Sequence, residues 1–191
     1  EINFINDIKD GSKKIGELHV NRTNYRNFEV NESNALKNLF AKLWMRNLVG
    51  KLKGLDQLVV LTNKSKAMWP ELSNVSVIPD PITIEMKSGE MRSEKCSKRI
   101  VTIGRYAYQK GYDLLLQAWA EVEKHYPDWT LDFYGQGDRT SYCQLMGDLG
   151  IDINRCHLNG PVEDVAKVYQ DSSVFVLSSR FEGFGLVLVE A

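Results

Sequence analysis

The chain of 191 residues carries 24 lysines and arginines and 25 aspartates and glutamates, so its formal net charge is −1. Its composition, 43% hydrophobic and 26% charged, is that of an ordinary soluble globular protein of one domain or two small ones. The near-neutral charge gives no reason to expect a nucleic-acid partner, and no run approaches the ~18 apolar residues of a transmembrane helix.

The cysteines and histidines are scattered along the chain. Cys96, Cys143 and Cys156 are odd in number and far apart, which argues against a disulfide framework and favours a reducing, cytoplasmic compartment. Neither the cysteines nor the histidines show the spacing of metal ligands. We therefore expect no dedicated metal site and no required cofactor.

The helix predicted over residues 33–53 follows two short strands predicted at residues 2–5 and 14–20. Its apolar stripe at helical spacing consists of Leu36, Leu39, Phe40 and Leu43, and Leu48 and Leu52 continue it less regularly. The stretch has no acidic residue, and its cations are Lys37, Lys42, Arg46, Lys51 and Lys53. Such a helix fits either a peripheral contact with an anionic membrane or core packing with one solvated face. The stripe is sufficient for ordinary packing, which is the interpretation that the sequence favours.

A polar segment separates two parts of the chain. Before it, strands are predicted at residues 58–61 and 75–78, around a short helix at 64–68. Residues Pro79–Lys98 lack apolar periodicity and are interpreted as a linker. The predicted organisation is an N-terminal α/β domain over residues 1–78, a linker over 79–98 and a C-terminal domain over 99–191.

Strands and helices alternate regularly in the C-terminal part. The predicted strands are 100–103, 131–134, 156–158 and 174–177, and the predicted helices are 111–125, 139–149, 162–169 and one that begins at Phe184. Short connections between apolar strands and amphipathic helices predict a Rossmann-type, doubly wound parallel sheet. Ligands of such sheets bind beyond the carboxyl ends of the strands.

The loop after the first of these strands carries two cations. It runs from Gly104 to Gly111 and contains Arg105 and Lys110. Two cations on one rim suit a diphosphate, because an arginine binds it with two hydrogen bonds and a lysine acts as a point charge. The alternative is a solvated loop with ordinary surface charges.

Two further loops follow the next strands. Residues 134–138, Tyr-Gly-Gln-Gly-Asp, lack the third glycine and the distant acid of a dinucleotide fingerprint, so a structural turn is favoured there. Residues 157–164 place Pro161 at the start of a helix. The backbone of that turn is a candidate for hydrogen bonds to a nucleotide base.

The final segment is the most informative. An apolar strand leads to Gly183 and Gly185 and then to an apolar helix, with Glu182 and Glu190 on either side. Glycines let a phosphate approach the backbone, amides at a helix start bind it, and carboxylates accept hydrogen bonds from sugar hydroxyls. The pattern predicts a site for a sugar on a phosphorylated carrier. Because the sequence begins without methionine and stops inside this helix, we interpret it as part of a longer protein.

These motifs follow one another in a specific order. They are Gly104-Arg105 with Lys110-Gly111, Tyr134-Gly135-Gln136-Gly137, Leu158-Asn159-Gly160, and Ser179-Arg180-Phe181-Glu182-Gly183-Phe184-Gly185 with Glu190-Ala191. The set resembles the C-terminal donor domain of a family-four retaining glycosyltransferase of GT-B fold, whose best-known mark is the Glu-x7-Glu spacing. The resemblance covers residues 75–191, although Asp80 stands where asparagine is commoner. Residues 1–74 resemble the second half of the N-terminal, acceptor-binding domain.

The resemblance implies roles for individual residues. Arg105 and Lys110 would hold the donor diphosphate, and Glu182 would contact the transferred sugar. The remaining implied contacts are the backbone amides of Gly183, Phe184, Gly185 and Leu186 to phosphate or sugar, Glu190 to the ribose hydroxyls, the turn around Val162 to the base, and His19 near the donor sugar.

The implied activity is transfer of a sugar, with retention, from a UDP- or GDP-linked donor to a saccharide or lipid-linked acceptor. The implied setting is cell-surface polysaccharide or glycoconjugate synthesis, in the cytoplasm or at the inner face of the cell membrane. Two alternatives stay open, a nucleotide-sugar epimerase and a non-catalytic nucleotide-sugar-binding module on the same fold.

Overall fold

A computed structural model of the chain describes residues 2–19, 22, 35–82 and 97–191. The chain divides into two units, one formed by Glu1–Pro81 with Glu182–Phe184 and the other by Ile82–Phe181 with Gly185–Ala191. Most of the predicted linker lies outside the described residues, so the predicted domain boundaries stay predictions. Among the residues that are described, no helix is long and apolar enough to cross a bilayer.

The first unit is built on a three-stranded parallel sheet. Its strands are β1 (Ile15–Leu18), β2 (Gln57–Val60) and β3 (Val75–Val77), in the order β1-β2-β3. Its described helices are α1 (Ile2–Asp7), α2 (Ala35–Leu52) and α3 (Asn63–Ala67). Leu52, Leu58 and Trp69 are buried almost completely and form the centre of its core.

The chain begins with a helix, so the strand predicted at residues 2–5 is wrong. In α1, Ile5 packs on the core of the first unit, and the side-chain amide of Asn6 donates to the carbonyl of Lys51 at 2.8 Å. The last carbonyls of a helix have no partner within it, so this bond satisfies one of those of α2. An apolar run of this length is too short for its periodicity to distinguish a helix from a strand, so the sequence could not indicate this contact.

Helix α2 confirms the predicted helix, but within the described side chains it packs through the C-terminal continuation of the predicted stripe. Leu39, Phe40 and Leu43 are 55%, 59% and 58% exposed, whereas Leu48 and Leu52 are buried in the core. Only the part of the helix from residue 44 onward contributes to that core within the described side chains. The expectation that the stripe packs inside the protein is therefore wrong for these three residues.

The second unit contains a four-stranded sheet in which all strands are parallel. Its strands are β4 (Arg99–Ile103), β5 (Thr130–Tyr134), β6 (Cys156–Asn159) and β7 (Val174–Phe175), in the order β6-β5-β4-β7. Its helices are α4 (Tyr112–His125), α5 (Thr140–Leu149), α6 (Val165–Gln170) and α7 (Leu186–Glu190), and a 3₁₀ turn (Tyr108–Lys110) precedes α4. The predicted alternation of strands and helices is confirmed, with β7 shorter than predicted.

Side chains of this sheet alternate between two cores. Ile100 and Leu131 lie in a core that α4 and α5 close, where Leu116 is completely buried. Val101, one residue after Ile100, lies in the second core with Val168 of α6. Helices therefore cover both faces of the sheet, because successive strand residues point to opposite faces.

Asp132 of β5 is a buried carboxylate with partners on both neighbouring strands. It accepts a hydrogen bond from Nε of Arg99 on β4, and its Oδ1 lies 2.6 Å from Nδ1 of His157 on β6. Arg99 also donates to the hydroxyl of Tyr134 at 2.6 Å. Because an unpaired buried charge is strongly destabilising, this network links three strands in one register.

The two described cysteines are expected to differ in reactivity. Cys156 is buried, and burial raises the pKa of its thiol to about 12, whereas Cys143 is exposed. Because the thiolate is the reactive form, we expect iodoacetamide at mildly alkaline pH to label Cys143 and to spare Cys156 in the folded chain. Peptide mass spectrometry with and without denaturant measures this difference, and equal labelling of both in the folded chain would contradict it.

Candidate functional site

Four loops leave the carboxyl ends of the strands in the second unit. We name them the β4 loop (residues 104–111), the β5 loop (135–139), the β6 loop (160–164) and the β7 loop (176–185), of which Glu182–Phe184 belong to the first unit. The predicted donor-binding residues of the C-terminal part lie on these loops or on α7, which follows the last of them. This is the edge at which doubly wound sheets bind their ligands.

Two glycines allow the loops to meet backbone to backbone. A Cβ added to Gly135 would overlap the carbonyl oxygen of Gly104, and a Cβ added to Gly111 would overlap that of Ser178. Gly111 also has a φ of 64°, a left-handed conformation that favours glycine. The β4 loop is therefore in direct contact with both the β5 loop and the β7 loop. For Gly135, this is the structural role that the sequence favoured.

Tyr106 fastens the β4 loop to its neighbours. Its N–H donates to the carbonyl of Gln136 at 2.8 Å, and its hydroxyl donates to the carbonyl of Asn159 at 2.8 Å. Nearby, the hydroxyl of Tyr112 donates to the carbonyl of Gly104 at 3.0 Å. Burial raises the pKa of the Tyr106 hydroxyl, which keeps it protonated and able to donate at neutral pH.

The two cations predicted to bind diphosphate lie on this β4 loop. Arg105 is exposed, and its guanidinium has no hydrogen bond or ion pair within the described residues. The stem of Lys110 lies against Gly104, since a Cβ added to Gly104 would be 3.0 Å from Cε of Lys110. Lys110 is thus held beside the residue that precedes Arg105, and the two cations lie on the same loop.

Hydrogen bonds join the first half of the β7 loop to the β4 loop. The hydroxyl of Ser178 donates to the carbonyl of Lys110 at 2.8 Å, and the N–H of Arg180 donates to the carbonyl of Gln109 at 2.8 Å. The side-chain amide of Gln109 donates in turn to the carbonyl of Phe181 at 3.1 Å. Residues 178–181 are thereby aligned with the end of the β4 loop.

Gly185 and α7 complete this edge of the second unit. Gly185 is buried with a φ of 74°, and Leu186 begins the helix. The hydroxyl of Tyr169 on α6 donates to the carbonyl of Val187 at 3.4 Å. Burial, and to a smaller extent the charge of Glu190, raise the pKa of that hydroxyl. The Glu190 carboxylate therefore lies close enough to α6 to interact with it.

Val162 lies on the β6 loop, and its side chain packs on the core that contains Val101 and Val168. The side chain is therefore engaged in packing. The contact of this turn with a nucleotide base stays a prediction, and it would have to use the backbone of the β6 loop rather than the valine side chain.

His19 follows β1 in the first unit and lies between two carboxylates. Its Nε2 is 3.4 Å from Oε1 of Glu17, and its Nδ1 is 3.7 Å from Oδ2 of Asp80. Ligand atoms of these three residues lie within 4.8 Å of one another, so the described residues include one group that a metal ion could use. The expectation of no dedicated metal site stays a prediction. In the same unit, a Cβ added to Gly183 would overlap the carbonyl oxygen of His19.

A family model matches the C-terminal part of the chain. Residues 97–191 match the model described as glycosyl transferases group 1. These residues form a glycosyltransferase group 1 domain.

Two curated relatives match a longer part of the chain than residues 97–191. An uncharacterized glycosyltransferase of Haemophilus influenzae is 32% identical over 140 residues, which cover 71% of this chain and 39% of the relative. The amylovoran biosynthesis glycosyltransferase AmsD of Erwinia amylovora is 28% identical over 149 residues, which cover 71% of this chain and 40% of the relative. The chain thus spans well under half of the length of either relative.

Solved structures confirm the predicted fold class, an α/β fold with parallel sheets that is similar to the GT-B glycosyltransferases. The structure of TarM matches with a TM-score of 0.77 at 20% identity and covers 98% of this chain and 36% of that protein. The pneumococcal O-GlcNAc transferase GtfA, solved with UDP and GlcNAc, matches with a TM-score of 0.61 at 25% identity. It covers 78% of this chain and 30% of that protein.

Arg180 and Asp113 form an ion pair of which the sequence shows no sign. The guanidinium of Arg180 donates to both carboxylate oxygens of Asp113, at 2.7 and 2.6 Å. The two residues are 67 positions apart, and neither periodicity nor a motif connects them. Arg180 lies inside the motif that carries Glu182, but its partner becomes visible only once the strand order places β7 beside β4.

Substitution of Gly135 tests the contact between the loops. We expect Gly135→Ala to lower the free energy of unfolding by about 1–3 kcal/mol, the usual cost of forcing an added methyl group into a packed site. The matched control is Gly147→Ala, because Gly147 lies inside α5 with nothing within 4 Å of an added Cβ. Alanine there should raise the free energy of unfolding by about 0.5–1 kcal/mol through its helix propensity.

Urea denaturation of both variants measures the two effects. Equal stability of Gly135→Ala and the wild-type chain would contradict the close approach of the β4 and β5 loops.

Proposed function

We propose that the group 1 domain binds the donor of a family-four, retaining glycosyltransferase. The proposed reaction transfers a sugar from a nucleotide diphosphate to a saccharide or lipid-linked acceptor. The observation that carries this proposal is the edge of joined loops, in which the loop that carries Arg105 and Lys110 is hydrogen-bonded to the β7 loop. The relative AmsD is named for amylovoran biosynthesis, which supports a role in polysaccharide or glycoconjugate synthesis.

The chemistry of transfer explains why two cations are needed at this place. Breaking the bond from the anomeric carbon to phosphate builds positive charge on the sugar and negative charge on the leaving diphosphate. Cations that are already in position stabilise the leaving group without reorganisation. Arg105 is exposed and can bind phosphate oxygens through two N–H groups, while Lys110, held against Gly104, supplies a point charge.

The remaining predicted residues are assigned as binders of the donor. Glu182 contacts the hydroxyls of the transferred sugar, with His19 nearby, and Glu190 accepts hydrogen bonds from the ribose. The backbone amides of residues 183–186 contact phosphate or sugar, and the turn around Val162 contacts the base. In this assignment the two glutamates bind hydroxyl groups and are not the acid and nucleophile of a glycosidase.

The donor is proposed to be a uridine or guanosine diphosphate sugar, and the uridine form is favoured. The supporting observation is that the GtfA structure, at 25% identity, holds UDP and GlcNAc. The proposed location is the cytoplasm or the inner face of the cell membrane, where such donors meet lipid-linked acceptors.

Isothermal titration of the chain with UDP- and GDP-sugars tests the donor site. We expect Arg105→Ala and Lys110→Ala each to weaken binding by about tenfold to a hundredfold, the scale of losing one hydrogen bond to a charged group. Lys124→Ala is the matched control, because Lys124 is an exposed cation in the last turn of α4, at the opposite end from these loops. Unchanged affinity in both loop variants would remove the diphosphate assignment.

The two alternative functions are separated by a second measurement on the full-length protein. Release of free nucleotide diphosphate only when an acceptor is present supports transfer. Conversion of the donor to its epimer without an acceptor would indicate an epimerase, and binding without any turnover would indicate a non-catalytic module. No binding of any nucleotide sugar by the folded chain would contradict all three.

We also propose a peripheral membrane contact through α2. Leu39, Phe40 and Leu43 are more than half exposed on this helix, at 55%, 59% and 58%. Lys42 and Arg46 are exposed beside them, and the helix contains no acidic residue. Exposed apolar side chains next to cations suit the boundary between lipid head groups and acyl chains of an anionic membrane.

Cosedimentation with lipid vesicles tests this contact. We expect the chain to bind vesicles that contain phosphatidylglycerol more strongly than vesicles of phosphatidylcholine alone, with binding weakened by salt because screening reduces the attraction. The double variant Phe40→Ser, Leu43→Ser should bind several-fold less. Ile153→Ser, at a site 74% exposed in the second unit, is the matched control. Equal binding of the double variant and the wild-type chain would argue against α2 as the contact.

A further inference from the structure

Arg180 makes further contacts inside the group 1 domain. Beyond the two bonds to Asp113, its Nη1 donates to the carbonyl of Tyr108 at 2.9 Å. Its guanidinium also lies over the ring of Tyr108, 4.1 Å from the ring centre. The side chain is only 20% exposed. These contacts combine bidentate pairing and stacking, which only an arginine can make together.

The contacts join three elements of the group 1 domain. Arg180 lies on the β7 loop, Tyr108 begins the 3₁₀ turn that ends at Lys110, and Asp113 lies in the first turn of α4. The N–H of Arg180 adds the bond to Gln109 described above. Arg180 therefore ties the β7 loop to residues that precede Lys110 in the sequence and to Asp113, which follows it.

The charge of Arg180 is balanced inside the protein. The hydrogen bond and the charge of Arg180 hold the pKa of the Asp113 carboxyl below its usual range, so both members of the pair are charged at neutral pH. Nη1 already donates to Asp113 and Tyr108, and Nη2 donates to Asp113. Arg180 thus differs from Arg105, which has no such partner among the described residues.

We infer that Arg180 is a positioning residue for the donor site. It holds the β7 loop against the segment of Lys110, and it thereby sets where the backbone amides of Gly185 and Leu186 meet the donor. The inference rests on the proposed function for its effect on donor binding. Its effect on the order of the loop is independent of any ligand.

The test compares four single variants of the full chain and one double variant, Arg180→Ala with Asp113→Asn. Arg180→Ala removes all contacts, Arg180→Lys keeps the charge but loses the fork and the stacking, and Asp113→Asn removes the ion pair. The matched control is Arg155→Ala. Arg155 is 21% exposed and is also bonded to several groups, among them Glu123 and Asp152, but it lies before β6, at the opposite edge of the sheet.

The first readout is amide hydrogen exchange in residues 176–186, measured without ligand. We expect faster exchange there in Arg180→Ala and Asp113→Asn, an intermediate rate in Arg180→Lys, and the wild-type rate in Arg155→Ala. If Arg180 only stabilised the domain as a whole, Arg180→Ala and Arg155→Ala would change the exchange of residues 176–186 alike. Equal exchange of residues 176–186 in Arg180→Ala and the wild-type chain would overturn the inference.

The second readout is the dissociation constant of UDP, measured well below the melting temperature of each variant. We expect Arg180→Ala to raise it by about tenfold, and the double variant with Asp113→Asn to lose little more, because the two residues act as a unit. Arg155→Ala should lower the melting temperature and leave the constant unchanged. If the wild-type chain binds UDP and Arg180→Ala binds it equally well, the inference fails and the proposed function stands. If the wild-type chain binds no nucleotide, the proposed function fails, and hydrogen exchange alone decides whether Arg180 orders the loop.

Discussion

Close approach of loop backbones is the constraint on which the candidate site depends. The N–H of Gly104 donates to the carbonyl of Tyr134 at 2.9 Å, so the β4 and β5 loops begin at the same level of the sheet. Neither Gly135 nor Gly111 has room for a side chain at its contact. Because main-chain atoms form these contacts, the loops are placed by the sheet itself, and the side chains of Arg105 and Lys110 extend from a scaffold that is already assembled.

The charged groups of this edge divide into two kinds. Arg180 and Asp113 satisfy each other and hold two loops together, whereas Arg105 is exposed and has no partner among the described residues. The division has a physical basis, since an arginine whose donors are used within the protein binds a phosphate weakly. Arg105 and Arg180 are nevertheless equivalent in a count of charges. The distinction between a paired and an exposed arginine comes from geometry.

Prediction from sequence worked where the signal is local. The strands and helices of the second unit were predicted to within a few residues, because apolar runs and helical spacing repeat along it. It failed where a distant contact decides. Residues 2–5 belong to a helix whose Asn6 bonds to the end of α2, and Leu39, Phe40 and Leu43 are exposed although their spacing suits a buried face. In the candidate site, the loops and the two cations were predicted, but the partners of Arg180 and Tyr106 were not.

The sequence by itself determined that the second unit is a parallel, doubly wound sheet, and which loops follow its strands. Apolar periodicity and the order of motifs are properties of neighbouring residues, so they can be read without coordinates. Only the tertiary structure decided that the β7 loop lies against the β4 loop, that Gly135 contacts the backbone of Gly104, and that Arg180 is paired. These facts follow from the strand order β6-β5-β4-β7, which brings together residues far apart in the chain, and no local pattern encodes that order.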